Sequence, residues 1–157
     1  MSELNITQEA VEKYRLLVVT YPDTFFPELA MSLYNLGLSF NYLGLHEDAL
    51  KVTIESVSIY QPLAESHPDV FMPDLAMSLN NLGATLSELG RYEEALEIYK
   101  ETTPIIRQLL QNHSHIFEEH LFRNLSGKKQ VLQKLGKVNE MPLEEIAELK
   151  ELDLKFS

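Results

Sequence analysis

Apolar positions in residues 75–89 recur with a helical period. Leu75, Leu79, Leu82, Leu86 and Leu89 step by three or four, the stripe of an amphipathic helix. Pro73-Asp74 supplies a start, with Asp74 at the N-cap position. Gly90 supplies a stop, because glycine enters the left-handed conformation without steric cost. Tyr92, Ala95, Leu96, Tyr99 and Ile106 then mark a second helix, ending near Gln111-Asn112. An upstream pair follows the same plan, its first helix lying between Pro27-Glu28 and Gly44. Pro62 and Pro104 fall inside the second helices, where a missing N–H is expected to kink or split them. No such helix buries its stripe alone, so pairs stacked side by side must share a core.

The two pairs are copies of one unit. Leu29-Ala30-Met31-Ser32-Leu33 returns as Leu75-Ala76-Met77-Ser78-Leu79, an offset of 46 residues. Across residues 28–73 and 74–119, 18 of 46 positions are identical without a gap, which makes internal duplication the organising feature. Upstream, Tyr14 and Leu17 fall on Tyr60 and Leu63; downstream, Leu121, Leu125 and Leu132 fall on Leu75, Leu79 and Leu86. The expected organisation is a single domain over residues 1–157. It comprises a half repeat (8–27), two repeats (28–73 and 74–119), and a degenerate repeat with a C-terminal capping helix (120–157). That last helix covers 142–156, with Pro142 suited to its first position.

Within each unit one motif stands out: Leu82-Gly83, Leu86, Gly90, Tyr92 and Ala95-Leu96, matched by Leu36-Gly37, Phe40, Gly44, His46 and Ala49-Leu50. Gly37, Gly83, Ala49 and Ala95 are small enough to let paired helices approach. The pattern resembles the tetratricopeptide repeat (TPR) family. The usual unit has about 34 residues, and here the extra length follows the alanine. It is therefore similar to the long-repeat branch of kinesin light chains and of bacterial and fungal signalling arrays. The match weakens after Gly136, where Met141-Pro142 replaces Ala-Leu.

The resemblance implies an all-α, right-handed α-solenoid of antiparallel helix pairs, about seven helices in all. It also implies a non-catalytic protein-protein interaction module whose first helices line a concave peptide-binding groove. Carried over by position, the first row is Met31, Tyr34, Asn35, Leu38, Asn41 and Tyr42. The second is Met77, Asn80, Asn81 and Ala84. The third is Arg123, Gln130 and Lys134. Such a groove runs from apolar and aromatic through polar to basic, and suits a peptide apolar at one end and acidic at the other. Asn35 and Asn81 share one position, where an amide either contacts a peptide backbone or bridges neighbouring helices.

Candidate chemistry is sparse. His115 and His120 lie five apart, whereas a zinc-protease helix needs histidines four apart on one face; His113 completes the cluster. Ser126-Gly127-Lys128-Lys129 lacks the upstream glycine and the following hydroxyl of a phosphate loop. Glu47-Asp48 and Glu93-Glu94 open second helices, where negative charge offsets the helix dipole. No catalytic residue, cofactor or metal ligand is assigned, and the chain is read as not an enzyme.

Composition narrows the partners. The net charge is −11 and there is no cysteine. An acidic surface argues against nucleic acid and anionic membrane, and the start of the chain lacks a signal-peptide pattern, so a cytoplasmic location is expected. Residues 1–27 carry −2, 28–73 and 74–119 carry −5 each, and 120–157 carry +1. The basic cluster Arg123, Lys128, Lys129, Lys134 and Lys137 reads as the solvated face of a terminal cap, or as a site for an acidic partner. Ala10, Leu16 and Val19 appear without an inner neighbour, and acidic units beside a basic end favour a homodimer or a self-associating scaffold. A fragment of a longer array is the other alternative.

Overall fold

The computed structural model describes residues 2–112 and 115–157. Its helices are α1 (Glu3–Thr20), α2 (Pro22–Tyr42), α3 (His46–Ser66), α4 (Pro68–Glu88), α5 (Tyr92–Asn112), α6 (Glu118–Lys134) and α7 (Leu143–Phe156), with a short 3-10 turn at Val138–Glu140. No strand occurs among the described residues. Each helix packs on the next along the chain, and α2, α4 and α6 also touch in sequence. The architecture is the all-α solenoid of helix pairs.

The 46-residue period is structural as well as sequential. α2 and α4 begin and end 46 apart, and so do α3 and α5. Leu33, Leu79 and Leu125 occupy one repeat position and are all but fully buried. A buried leucine of this kind stabilises by about 1.5–3 kcal/mol. Gly44, Gly90 and Gly136 take φ of 74°, 73° and 69°. They end α2, α4 and α6, and the following N–H returns to the last helical turn: Leu45, Arg91 and Lys137 donate to the carbonyls of Phe40, Leu86 and Leu132.

Two sequence expectations need correction. The first helices begin at Pro22 and Pro68, not at Pro27-Glu28 and Pro73-Asp74. Pro22 and Pro68 hold the first helical position, where no N–H is needed; Pro27 and Pro73 lie inside the helices, and Asp74 caps nothing. Pro62 and Pro104 do not split α3 and α5, each of which runs as one 21-residue helix.

The basic cluster is not a uniform solvated face. Lys128 is buried, and its Nζ donates to Glu145 Oε2 of α7 at 2.6 Å. Arg107 of α5 donates to both carboxylate oxygens of Glu148, and Lys155 pairs with Glu118 at 2.8 Å. These pairs fasten α7 to α5, and to the first residue and the C-terminal half of α6. Lys129, Lys134 and Lys137 stay exposed.

Candidate functional site

The first helices of successive pairs, α2, α4 and α6, lie side by side and leave a cleft of about 260 Å³ between them. α2 contributes Tyr34 and Leu38, and α4 contributes Met77, Asn80, Asn81 and Ala84. α6 contributes His120 and Arg123, and the Tyr99 ring of α5 closes the floor. Spacings of three and four place these side chains on one face of each helix.

Amides tie the three helices together. Asn41 Nδ2 donates to Asn81 Oδ1 at 3.2 Å and to Thr85 Oγ1 at 2.7 Å, joining α2 to α4. Asn81 Nδ2 donates to Thr53 Oγ1 of α3 at 3.2 Å. His46 Nδ1 donates to Asn41 Oδ1 at 3.0 Å. Between α4 and α6, Asn124 Nδ2 donates to Asn80 Oδ1 at 3.0 Å, and Asn80 Nδ2 donates to the His120 carbonyl at 3.1 Å. Asn124 Oδ1 accepts from Thr103 Oγ1, so this fully buried amide is satisfied. Such bonds fix helix spacing because an unpaired buried amide costs more than a paired one gains.

Burial sets the electrostatics of the cleft. It pushes the Tyr34 hydroxyl above its usual range, with the Arg123 charge partly opposing. It also holds the His120 imidazole below its usual range, and Arg123 adds to that effect. Tyr34 is thus a neutral hydroxyl and His120 a neutral imidazole near pH 7. Arg123 carries the cleft's positive charge and is itself paired with Glu119 at 2.6 Å on the exposed surface. Asp74, half-buried nearby on α4, is held above the usual carboxylate range by burial. The cleft offers hydrogen-bond donors and acceptors, the apolar side chains of Leu38, Met77 and Ala84, and the Arg123 cation.

The structure brings together Tyr34, Leu38, Met77, Asn80, Asn81, Ala84 and Arg123 from the sequence-derived rows. It does not bring in the rest. Met31 and Lys134 are exposed outside it, and Asn35 is exposed on the outer side of α2. Asn41 points into the interhelix network. Tyr42 is 92% exposed and lies with Leu38 at the N-terminal edge, around a second hollow of about 390 Å³ lined by Ser2, Glu3, Leu4 and Leu43. Gln130 turns toward α7, in a hollow shared with Ile146 and Leu149. His120 and Tyr99 were not among the groove positions. His120 sits 46 residues after Asp74 and three before Arg123, so extending the groove face by one helical step would have included it.

The histidines are separated in their contacts. His115 is exposed and faces Glu118 at 3.4 Å, while His120 packs against Phe117 beside the cleft. His113 lies outside the described residues. Among the described residues no group of three or more His, Asp or Glu is arranged to hold a metal ion, and no helix is long and apolar enough to cross a membrane.

A tetratricopeptide repeat family model matches residues 28–108, just over half of the chain. No curated protein sequence matches significantly. Among solved structures, the chain is similar to a kinesin light chain from Podosopora anserina with nearly identical TPR-like repeats. The TM-score is 0.58 at 18% identity, covering 95% of this chain and 68% of that one.

Proposed function

This chain belongs to the tetratricopeptide repeat family, and from that premise we propose that it is a protein-interaction module that holds a partner peptide along the concave face of α2, α4 and α6. The observation that carries the reading is the cleft itself: seven residues expected there from the repeat positions line it or its rim. Tyr34, Leu38 and Met77 provide apolar contact, and Arg123 provides a cation for an acidic side chain or a chain terminus. The ligand that fits is an extended or helical peptide, apolar toward α2 and acidic toward α6. No catalytic role is assigned to any residue, and a core built without cysteine needs no oxidising compartment, in keeping with a cytoplasmic setting.

The test is a peptide-display selection followed by isothermal titration with wild type, Tyr34→Ala and Arg123→Ala. Each substitution is expected to weaken binding about tenfold or more, equivalent to about 1.4 kcal/mol, with helicity unchanged. Wild-type affinity in both variants rules the cleft out. A hydrolase and transferase screen is the complementary control: activity abolished by His115→Ala or His120→Ala would replace this reading with an enzymatic one.

Self-association is a second reading, favoured by one observation. Leu16 and Val19 of α1 are 75% and 82% exposed. Their repeat positions in α3 hold Pro62 and Glu65, and in α5 Gln108 and Gln111, all exposed. The solenoid therefore turns this face outward everywhere, and only α1 makes it apolar. Light scattering after size exclusion at low and high salt tests it. A mass near the 18.0 kDa monomer throughout the micromolar range sinks the dimer.

A further inference from the structure

We propose that the N-terminal edge of the solenoid, formed by the start of α1 and the outer side of α2, is a docking site for a partner's amphipathic helix that carries an asparagine among aliphatic residues. The interior of the molecule supplies the precedent. α2 is seated on α4 by Asn41, which meets Asn81 Oδ1 and Thr85 Oγ1. Asn81 is in turn held by Thr53, and Thr85 donates its own proton to the Asn81 carbonyl at 2.8 Å, which leaves its oxygen free to accept.

Shifted by one repeat, Thr53, Asn81 and Thr85 become Thr7, Asn35 and Ser39. The hydroxyl–amide–hydroxyl set is preserved at the edge. Ser39 Oγ donates to the Asn35 carbonyl at 3.1 Å, the same bond that Thr85 makes to Asn81, so its oxygen has the same acceptor capacity. Asn35 is exposed, and among the described residues its amide has no side-chain partner. The residue types of the triad that accepts Asn41 inside the molecule therefore recur on its surface, with Asn35 not held by Thr7, whose hydroxyl donates to the Leu4 carbonyl at 2.9 Å.

The apolar surround recurs too. Ile6 is 55% exposed, whereas its repeat equivalents Val52 and Ile98 are half-buried. Leu38, Tyr42 and Leu43 continue the surface around the hollow of about 390 Å³ beside Ser2–Leu4. A helix seated as α2 sits on α4 places one amide between Asn35 and Ser39 and aliphatic side chains on Ile6 and Leu38. An all-aliphatic helix leaves the Asn35 amide buried and unpaired, which discriminates against it. This surface is separate from the concave cleft except at Leu38, and does not rest on the peptide-groove reading.

The probe is a synthetic peptide of residues 22–45 of this chain, whose Asn41 makes the contact internally. It is titrated into the full-length isotope-labelled protein and followed by NMR. The expected result is saturable shifts at Ile6, Asn35 and Ser39, with affinity falling about tenfold for peptide Asn41→Ala or protein Asn35→Ala. Shifts centred on Asn80, His120 and Arg123 instead, or equal affinity for the Asn41→Ala peptide, overturn the proposal. Because a free helix of this length is only marginally stable, a second protein carries residues 22–46 fused ahead of residue 1. Its thermal midpoint is expected to rise, and the gain to vanish with Asn41→Ala in the added copy. Absence of shifts at the edge with the free peptide, together with no Asn41-dependent gain in the fusion, also overturns it.

Discussion

The ring of Tyr99 lies against the backbone of Gly127 so closely that a Cβ on Gly127 would stand 2.4 Å from the ring Cζ and from the hydroxyl oxygen. The same ring meets Gly83, where a Cβ would stand 2.8 Å away. One repeat earlier the pair is Thr53 and Asn81, a small hydroxyl and an amide joined by a hydrogen bond. The two arrangements fill one space in opposite ways: a large side chain from the second helix against glycine, or a small one against asparagine.

Gly127→Ala is therefore expected to destabilise by about 1–3 kcal/mol through overpacking, less the helix-propensity gain of alanine. Gly127→Asn should cost more in the wild-type background than in a Tyr99→Thr background, with a coupling energy of about 1 kcal/mol or more. Urea denaturation of the four proteins measures it. Additive effects would mean that the ring and the glycine do not share the space.

Lys128 occupies the repeat position of Leu36 and Leu82, and is buried there with Glu145 at 2.6 Å. Lys128→Met leaves a buried carboxylate without its main partner, so a loss of about 3 kcal/mol is expected. Arg107, 4.0 Å from Glu145, offsets part of it. The double variant Lys128→Leu with Glu145→Leu should lie within about 1 kcal/mol of wild type or above it. Chemical denaturation separates the two outcomes, and equal losses in single and double variants would contradict the pair's role in fastening α7.

Asn35 and Asn81 share a repeat position but not an environment. Asn81→Ala removes the partner of both Asn41 and Thr53, for an expected loss of about 1–3 kcal/mol. Asn35→Ala, on an exposed position, should stay within about 0.5 kcal/mol of wild type. Differential scanning calorimetry on both variants checks the contrast.

His120 gives a pH dependence with a definite sign. Its folded-state pKa is depressed below the ordinary value of 6.5 by burial and then by Arg123. The unfolded chain therefore binds its proton more readily, and stability falls as pH drops from the ordinary value through the depressed one. The stabilisation is complete above that window. Melting curves between about pH 7.5 and 5 should show a steeper decline for wild type than for His120→Gln. Parallel curves would assign the acid sensitivity to other groups.

The amino-acid sequence by itself determined the repeat, because stacked helices must each present the same apolar face to their neighbours. Leu33, Leu79 and Leu125, the three left-handed glycines and the 46-residue period are all visible as residue types at fixed spacing. Helix starts were less visible, since Pro22 and Pro27 are each compatible with a first turn, and only the packing of the earlier residues chooses between them. The cleft was legible where a face follows from helical spacing, as with Tyr34, Asn80 and Arg123. It was not legible where one position meets different neighbours. Asn35 and Asn81, or Gly127 and Asn81, are equivalent along the chain, yet what each touches depends on the helix packed beside it. Lys128 likewise reads as surface charge until Glu145, 17 residues further on, is folded back over it. Tertiary structure decided these cases because hydrogen bonding and charge burial depend on distances between helices, which no periodicity along a single helix encodes.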